Sequence, residues 1–406
     1  MANPVNPPRG MRDFLPAEKA KREAVLALIK GTYAAHGFQE IETPAMEDLA
    51  RLTSGQGGDN EKLAYRVMKR GAELEQAIAD GTELADLGLR FDLTVPLTRY
   101  YATNRASLPN VFKAIQVGPV WRAERPQKGR YRQFVQCDID IIGDSTPLAE
   151  LELLNASLNA LDVLGLTDAV IRVNHRALLV KLLNELGVPE ADHGSAMITI
   201  DKLDKIELAG VVTELTERLG ESVGKAFEAW FLEVDTTVPP AELEDLFALI
   251  RPGRLRFDPT LVRGMGYYTG PIFEIDHPGS GSSIGGGGRY DGMVGKWLGT
   301  DVPAVGISIG FERVLDLVAD EVAADEMPAV VLVLEDSSKV TLSNAFAIQK
   351  ELWAEGANVR FELKPKRLNL LLDSMSANGF DAFAVVTEDT SSLAELEVRP
   401  IGQSLD

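Results

Sequence analysis

Three arginines occupy segments of the sequence in which they could bind phosphate or carboxylate groups. Arg122 begins RAERPQKGRYR (122–132), and Arg263 begins RGMGYYTG. Arg313 follows the glycine-containing stretch GISIGFE. A guanidinium group has a permanent charge and a planar fork of donors that matches such oxygens. Since the chain has a formal net charge of -20, the five basic residues of segment 122–132 stand out. They predict either a solvated hairpin loop or a contact with polyphosphate or a nucleic-acid backbone.

A second polar set lies on the predicted strand QFVQCDIDIIG. Alternate residues of a strand share a face, which groups Phe134, Gln136, Asp138 and Asp140. This face is either exposed to solvent or lines a pocket for a cationic group, such as the ammonium of an amino acid. Cys137 and its alternate neighbours then point into the core, where a thiol behaves as a small apolar group.

Two further segments are rich in glycine and tyrosine. Tyr267 and Tyr268 are adjacent, and they can share one environment only if the backbone bends. The glycines at 264 and 266 could supply that bend. The run SSIGGGGRYDG (282–292) lacks the spacing of a phosphate-binding loop. Its glycines indicate instead that backbone closely approaches a ligand or another strand.

The elements that must hold these residues are of mixed type. Up to residue 175 strand patterns alternate with helices expected at about 17–36, 92–106 and 146–165, and residues 60–90 predict a hairpin with a polar insertion. Strand patterns resume at 255. Apolar residues recur at helical spacing between about 176 and 255, which predicts an all-helical insertion. From residue 328 the pattern alternates β-α-β-α-β, which favours a small open α/β sheet. We therefore expect two domains, 1–327 and 328–406.

Composition narrows the class of protein. Hydrophobic residues make up 45% and charged residues 25%, as in ordinary globular enzymes. The single cysteine excludes an internal disulfide and fits a reducing compartment. The four histidines lack metal-ligand spacing, so we expect no metal held by the protein alone. With no long apolar run and no apolar leader, the expectation is a cytoplasmic protein without a membrane span.

Taken together and in order, the motifs resemble those of class II aminoacyl-tRNA synthetases, specifically the histidyl-tRNA synthetase family. The segments similar to the three class II motifs are GFQEIETPAMED (37–48), FKAIQVGPVWRAERPQKGRYRQFVQCDIDIIG (112–143) and AVGISIGFERV (304–314). LRFDLTVPLTRY (89–100) resembles the segment that supplies an amino-acid-binding carboxylate. LVRGMGYYTGPIFEI (261–275) and IGGGGRYDGMV (284–294) resemble the two histidine-specific signatures. Aspartates at 92 and 140 match the eukaryotic-style variant of the family.

This resemblance implies an α+β fold: a class II antiparallel sheet flanked by helices, with the helical insertion and a small C-terminal α/β domain similar to an anticodon-binding domain. It implies a homodimer, with Pro44 at the dimer-forming bend. The implied reaction is activation of histidine by ATP, with Mg²⁺ as the companion of the nucleotide, and transfer of histidine to the 3′ end of tRNA(His). No membrane partner is expected.

The resemblance also implies roles for individual residues. The catalytic cations are Arg122, Arg263 and Arg313. ATP binding falls to Arg122, Glu124, Arg130, Phe134 and Arg313. Histidine binding falls to Asp92, Thr94, Gln136, Asp140, Arg263, Tyr267, Tyr268 and Tyr290. Contact with tRNA falls to Arg125, Lys128 and Arg132.

The sequence departs from the family pattern in two places. Met265-Gly266 stands where the family usually has Leu-Asp, and the end of the C-terminal unit lacks the usual glycine- and lysine-bearing strands. KPKR (364–367) is the best candidate there for RNA contact. Two alternatives therefore stay open: a non-catalytic histidine sensor, similar to the regulatory subunit of ATP phosphoribosyltransferase, and an enzyme that charges an acceptor other than tRNA.

Overall fold

The computed structural model describes residues 5–54, 62–126, 129–263, 267–319, 328–336, 340 and 342–402. The chain divides into two compact units. The first contains Met1–Arg12 and Ala27–Val318, and the second contains Asp13–Leu26 and Ala319–Asp406. Helix α1 (Pro16–Ala35) contributes residues to both.

Eleven described strands belong to the first unit. They are β1 (Gln39–Ile41), β2 (Met46–Asp48), β3 (Arg66–Met68), β4 (Ala85–Leu89), β5 (Phe112–Trp121), β6 (Gln133–Ile142), β7 (Val170–His175), β8 (Leu255–Phe257), β9 (Pro271–Asp276), β10 (Gly285–Arg289) and β11 (Ala304–Gly310). Eight of them form one sheet in the order β1-β5-β6-β11-β10-β9-β7-β8. The six central strands are antiparallel to one another, and β1 and β8 pair in parallel with β5 and β7 at the two edges. A small antiparallel sheet has the order β2-β4-β3.

Helices cover and connect these strands. Those of the first unit are α2 (Leu49–Leu52), α3 (Gly71–Asp80), α4 (Thr94–Asn104), α5 (Pro147–Val163), α6 (Arg176–Glu185), α7 (His193–Ile200), α8 (Leu203–Leu219), α9 (Glu221–Glu233), α10 (Glu244–Leu249), α11 (Asp291–Leu298) and α12 (Phe311–Leu315). The described part of this unit also contains 3-10 turns at Arg105–Ser107, Glu190–Asp192 and Ala241–Leu243. Between β7 and β8 the chain is helical, from α6 to α10. Within the described ranges, we find no helix that is both long and apolar enough to cross a bilayer.

Strands β3 and β4 pair antiparallel as the expected hairpin, and the polar insertion between them forms α3. Its sequence, GAELEQAIAD, consists mainly of strong helix formers. Gly81 ends the helix in the left-handed conformation, at φ 63°, as a C-terminal glycine commonly does.

The large sheet has one apolar face. Cys137, Ile139 and Ile141 of β6 are fully buried, as alternation predicts. Helix α5 packs against β6 and β11. It starts with Pro147 at its first turn, where the missing N–H costs nothing, and it buries Leu153 and Leu154. The opposite face of β6 carries Gln136, Asp138 and Asp140.

The second unit has a four-stranded sheet of its own. Its elements are β12 (Ala329–Leu334), α13 (Leu342–Ala354), β13 (Asn358–Leu363), α14 (Leu368–Ser376), β14 (Ala382–Val386), a 3-10 turn at Leu393–Glu395, and β15 (Arg399–Pro400). The order is β13-β12-β14-β15, with only β15 antiparallel. Alternate residues of β12 enter two apolar clusters, represented by Leu332 and Val333. Both faces of this strand are therefore buried, as in other parallel sheets.

The first four residues of β10 are glycines, because the neighbouring strands leave no space there for side chains. A Cβ atom at Gly287 would lie 1.9 Å from the backbone oxygen of Gly306 on β11. One at Gly285 would lie 2.6 Å from the backbone oxygen of Ser308. Neither contact is physically possible without movement of the strands. The close approach expected from the glycine run is therefore confirmed, with another strand as the partner.

Replacing Gly287 with alanine should destabilise the protein by about 3 kcal/mol, because backbone cannot yield as a flexible side chain does. Urea denaturation measures the change. The matched control is Gly292→Ala in α11, where an added Cβ meets no described atom within 4 Å and alanine favours the helix. Equal stability of the two variants would contradict this explanation of the strand.

Candidate active site

A cavity of about 270 Å³ opens over the polar face of the large sheet. Its lining contains every residue for which ATP or histidine contact is predicted: Asp92, Thr94, Arg122, Glu124, Arg130, Phe134, Gln136, Asp140, Arg263, Tyr267, Tyr268, Tyr290 and Arg313. These residues come from segments between 92 and 313, so only the fold brings them together.

Strand β6 gives the cavity its direction. Phe134, Gln136, Asp138 and Asp140 follow one another along one face, away from the hairpin loop between β5 and β6. At about 3.4 Å per residue, Phe134 and Asp140 are roughly 20 Å apart. Glu124 and Arg130 belong to the hairpin loop and line the cavity near Phe134. We call this region the hairpin end and the region around Asp140 the acidic end.

The acidic end contains three buried carboxyl groups. Asp92, Asp138 and Asp140 are 2%, 4% and 3% exposed. Burial, with the nearby charge of Asp92, raises the pKa of Asp140 to about 7, although a hydrogen bond from Tyr290 opposes the shift. Burial and the charge of Asp140 also raise the pKa of Asp138 well above its usual range. This end is therefore suited to a cation or to strong hydrogen-bond donors.

Tyrosines enclose the acidic end. The Tyr290 hydroxyl donates to Oδ1 of Asp140 at 2.5 Å, and burial raises the pKa of Tyr290 so that the hydroxyl stays protonated. The rings of Tyr267 and Tyr268 are 4.7 Å apart between centroids. Both adjacent tyrosines thus line one cavity, as a bent backbone requires. The glycines expected to supply the bend, Gly264 and Gly266, lie outside the described residues, as does Met265.

Arginines supply positive charge to the rest of the cavity. Arg122 donates its Nε–H to the backbone oxygen of Phe91 at 2.9 Å, and its guanidinium carbon is 5.1 Å from the ring centroid of Phe134. Arg313, at the start of α12, donates to the backbone oxygen of Ser283. Arg263 donates to Oε2 of Glu274 at 2.9 Å. Each guanidinium is oriented by a fixed acceptor.

Glycines make the room that these side chains occupy. A Cβ at Gly286 would lie 2.7 Å from a guanidinium nitrogen of Arg263, and one at Gly288 would lie 2.8 Å from the Tyr268 ring. A Cβ at Gly306 would lie 1.9 Å from Oδ1 of Asp140. The two glycine-containing strands, β10 and β11, therefore form a floor on which the functional side chains rest.

Three buried polar atoms of the lining lack a hydrogen-bond partner among the described residues. They are Oδ1 of Asp138, Oε1 of Gln136 and Nε of Arg263. A buried polar group without a partner is costly. A ligand that supplies donors to the two oxygens and an acceptor to the nitrogen would remove this cost.

Two of the residues predicted to contact tRNA, Arg125 and Arg132, do not line the cavity. Arg125 is exposed. Arg132 donates its Nε–H to the backbone oxygen of Glu124 at 2.9 Å, which holds the hairpin loop. Lys128 lies outside the described residues.

Three further residues of the cavity lining were not predicted as site residues from the sequence: Asp138, Ser308 and Glu312. Asp138 was recognised on the polar face but not as a site residue, although it lies between Gln136 and Asp140. Ser308 accepts a hydrogen bond from Nε2 of Gln136 at 3.2 Å, and it carries no motif of its own. Glu312 accepts from the Val135 backbone N–H at 3.3 Å. The position of Glu312 directly before Arg313 was the only feature of the sequence that could have indicated a place in the cavity lining.

Comparison with known proteins gives a consistent result. A model of the histidyl-tRNA synthetase family matches residues 10–314. A histidine–tRNA ligase of Leifsonia xyli subsp. xyli is 52% identical, over 99% of both chains. The crystal structure of a histidyl-tRNA synthetase from Nostoc sp. PCC 7120 is similar with a TM-score of 0.74 and 27% identity, covering 96% of this chain and 93% of that one. An ATP phosphoribosyltransferase regulatory subunit/histidyl-tRNA synthetase from Bacillus halodurans C has a TM-score of 0.72 at 20% identity, covering 95% and 99%, and shows the fold alone.

Asp140→Asn should stabilise the protein more at pH 8 than at pH 5. The pKa of Asp140 is raised from 3.8 to about 7, so the folded state binds the extra proton and loses stability as pH rises between these values. About two pH units of this range lie between pH 5 and pH 8, so the difference between the two conditions is roughly 3 kcal/mol. Thermal denaturation of both proteins across this range measures it. The exposed Asp86→Asn should show no such trend, and an equal trend in both variants would contradict the assignment.

Proposed function

The chain belongs to the histidyl-tRNA synthetase family, whose members join histidine to tRNA with ATP, and we propose that the cavity described above carries this reaction. The observation that supports the residue roles is the order of groups along β6. Buried acids and tyrosines occupy one end, arginines lie beyond them, and an aromatic ring with a charged loop occupies the other. This order matches histidine joined to an adenine nucleotide.

Histidine binds at the acidic end with its imidazole between Asp140 and Tyr268. An imidazole ring has two nitrogens, which need one hydrogen-bond partner each. Its ammonium group binds Asp92 and Gln136, and the unpartnered oxygen of Asp138 adds a third acceptor. Thr94, Tyr267 and Tyr290 complete the wall. A side chain without the paired nitrogens would leave buried groups unsatisfied, which can exclude analogues by about 10⁴-fold.

The arginines act on the reacting groups. A carboxylate oxygen of histidine attacks the α-phosphorus of ATP, the bond to the β-phosphate oxygen breaks, and pyrophosphate leaves. Arg122 and Arg263 bind the α-phosphate from opposite sides, and Arg122 also orients the carboxylate. Fixed cations stabilise charge that develops in the transition state without reorganising. Arg313 binds the distal phosphates, and Arg130 assists it.

The adenine base binds at the hairpin end, stacked on Phe134 with its edge against Glu124. Mg²⁺ accompanies ATP, because it is commonly held by phosphate oxygens and one or two carboxylates. Glu124 and Glu312 are the carboxylates of the lining near the phosphate-binding arginines. Mg²⁺ would neutralise phosphate charge there.

The second step uses tRNA(His). A hydroxyl of its 3′-terminal ribose attacks the carbonyl carbon of histidyl adenylate, and AMP leaves. Arg125, Lys128 and Arg132 are the candidate contacts to the acceptor strand, and the second unit is the candidate anticodon-binding domain. We further propose a homodimer with Pro44 at its interface, working in the cytoplasm, where tRNA is charged.

A sensor of histidine is the less favoured function. Such a protein needs the acidic end but has no use for three cations arranged for a triphosphate. An enzyme that charges another acceptor shares the first step, so only the second step separates it from the proposed function.

Arg263→Ala should lower the rate of histidine-dependent ATP–pyrophosphate exchange by about 10²–10³-fold while the affinity for histidine stays the same. The arginine acts chiefly in the transition state, so its loss affects rate rather than ground-state binding. Isothermal titration with histidine provides the second measurement. Arg66→Ala, which removes an exposed arginine paired with Glu83, is the control. If histidine affinity falls as much as the rate, Arg263 has a structural role instead.

Replacing Lys366 and Arg367 together with alanine should raise KM for tRNA(His) several-fold and leave ATP–pyrophosphate exchange unchanged. Both side chains are exposed. Each contact between a cationic side chain and an RNA phosphate increases the affinity for tRNA, and added salt weakens that contact. Aminoacylation at two salt concentrations measures the effect. Arg360→Ala, an arginine of the same unit paired with Glu362, should have no effect. An unchanged KM for the double variant would contradict RNA binding by this cluster.

A further inference from the structure

Glu274 of β9 joins Arg263 to a second arginine. Its Oε2 accepts from Arg263 at 2.9 Å, and its Oε1 accepts from Arg172 of β7 at 3.0 Å. Glu274 itself does not line the cavity. It therefore contacts a proposed catalytic group without access to the substrates. None of the roles assigned above includes Glu274 or Arg172.

Sheet register fixes this arrangement. Glu274 is paired with Gly286 on β10 and with Arg172 on β7. Directly paired residues share a face of the sheet, so Glu274 and Arg172 extend side by side. The missing side chain at Gly286 leaves the neighbouring position open, and the Arg263 guanidinium occupies it. The carboxylate is thus held between two cations by backbone pairing rather than by a flexible loop.

Arg172 is anchored on its far side. Its Nε–H donates to Oδ2 of Asp258 at 2.7 Å, and the two side chains are 12% and 15% exposed. Asp258 is fixed in turn, because its Oδ1 accepts from the backbone N–H and the hydroxyl of Thr260 at 2.9 and 2.7 Å. Asp204 of α8 also reaches Arg172, at 3.2 Å, but it is 73% exposed. Exposed pairs of this kind contribute little, so Asp258 is the main anchor.

We propose that Glu274 and Arg172 are positioning residues for adenylate formation, which hold the Arg263 guanidinium in the place where it meets the α-phosphate. This inference rests on the role proposed above for Arg263. Arg263 follows β8 by several residues and belongs to no described helix or strand. Its own segment therefore does not fix its side chain, and the carboxylate of Glu274 supplies the missing constraint. Arg172 keeps that carboxylate in line with the opening over Gly286.

The test begins with Glu274→Gln, which keeps the size of the side chain and removes its charge. A misplacement of about 1 Å can cost 10²-fold in rate. We expect kcat for ATP–pyrophosphate exchange to fall 10- to 100-fold while KM for histidine changes less than twofold. Glu274→Asp, which keeps the charge, should recover part of the rate. A purely structural residue would not produce this separation of kcat from KM or the partial recovery.

Arg172→Gln should lower kcat by a smaller factor, since it acts through Glu274. The double variant Arg172→Gln/Glu274→Gln should be no slower than Glu274→Gln alone. The matched control is Arg256→Gln. Arg256 is paired with Arg172 in register and bonded to Asp276 at 2.8 Å, and within the described ranges no hydrogen bond or ion pair joins it to Glu274. Its removal should leave kcat unchanged.

The outcomes separate the inference from the function on which it rests. If Arg263→Ala fails to slow exchange, the role of Arg263 is wrong. If Arg263→Ala slows exchange but Glu274→Gln does not, the positioning role alone is overturned. Additive effects in the double variant, or a loss of kcat in Arg256→Gln equal to that in Arg172→Gln, would overturn it as well. Thermal denaturation of each variant excludes unfolding as the cause of a lost rate.

Discussion

The register of β6, β11, β10 and β9 is the constraint on which the active site depends. It pairs Asp138 with Ser308, Ser308 with Gly286, and Gly286 with Glu274. A shift of one residue in any strand would turn its polar residues into the apolar core and its apolar residues into the cavity. The buried cysteine and isoleucines of β6 oppose that shift, since burial strongly favours them on the core face. The same hydrophobic pattern that stabilises the sheet therefore also aligns its polar face.

Glycine residues on β10 and β11 leave the space in which the aligned polar side chains can meet a ligand. Ordinary side chains on β10 and β11 would fill the space over the sheet, and the cavity would be replaced by a second layer of core. Because the floor consists of glycine at 286, 288 and 306, side chains from other segments can lie directly on the backbone. The fold thus gives up packing at these positions. It compensates on the opposite face, where α5 packs against β6 and β11 and the cysteine and isoleucines of β6 are fully buried.

Much of the site could be predicted from the sequence, for physical reasons that also explain what was missed. Alternation along β6 is local, so one strand was enough to group Gln136 with Asp140. The arginines were found because a cation next to glycine or in an acidic chain is unusual. Glu274 gave no such signal, since its importance comes from pairing with strands that are distant in sequence. Topology creates that pairing, and no local pattern reports it.

The electrostatics of the cavity separate an enzyme from a sensor where the fold does not. A structure named as both a regulatory subunit and a histidyl-tRNA synthetase shares the fold at 20% identity, so the fold alone does not decide between the two functions. A sensor needs only the buried acids, because they are sufficient to bind a cationic amino acid. Desolvation by burial makes those acids unstable as anions, as the raised pKa of Asp140 shows, and an amino acid alone could relieve that cost. The carboxylate of histidine can use one of the arginines at 122, 263 and 313, but it does not need three cations. The remaining positive charge on the hairpin side of the acids suits a second, anionic substrate, and a nucleotide triphosphate fits that charge.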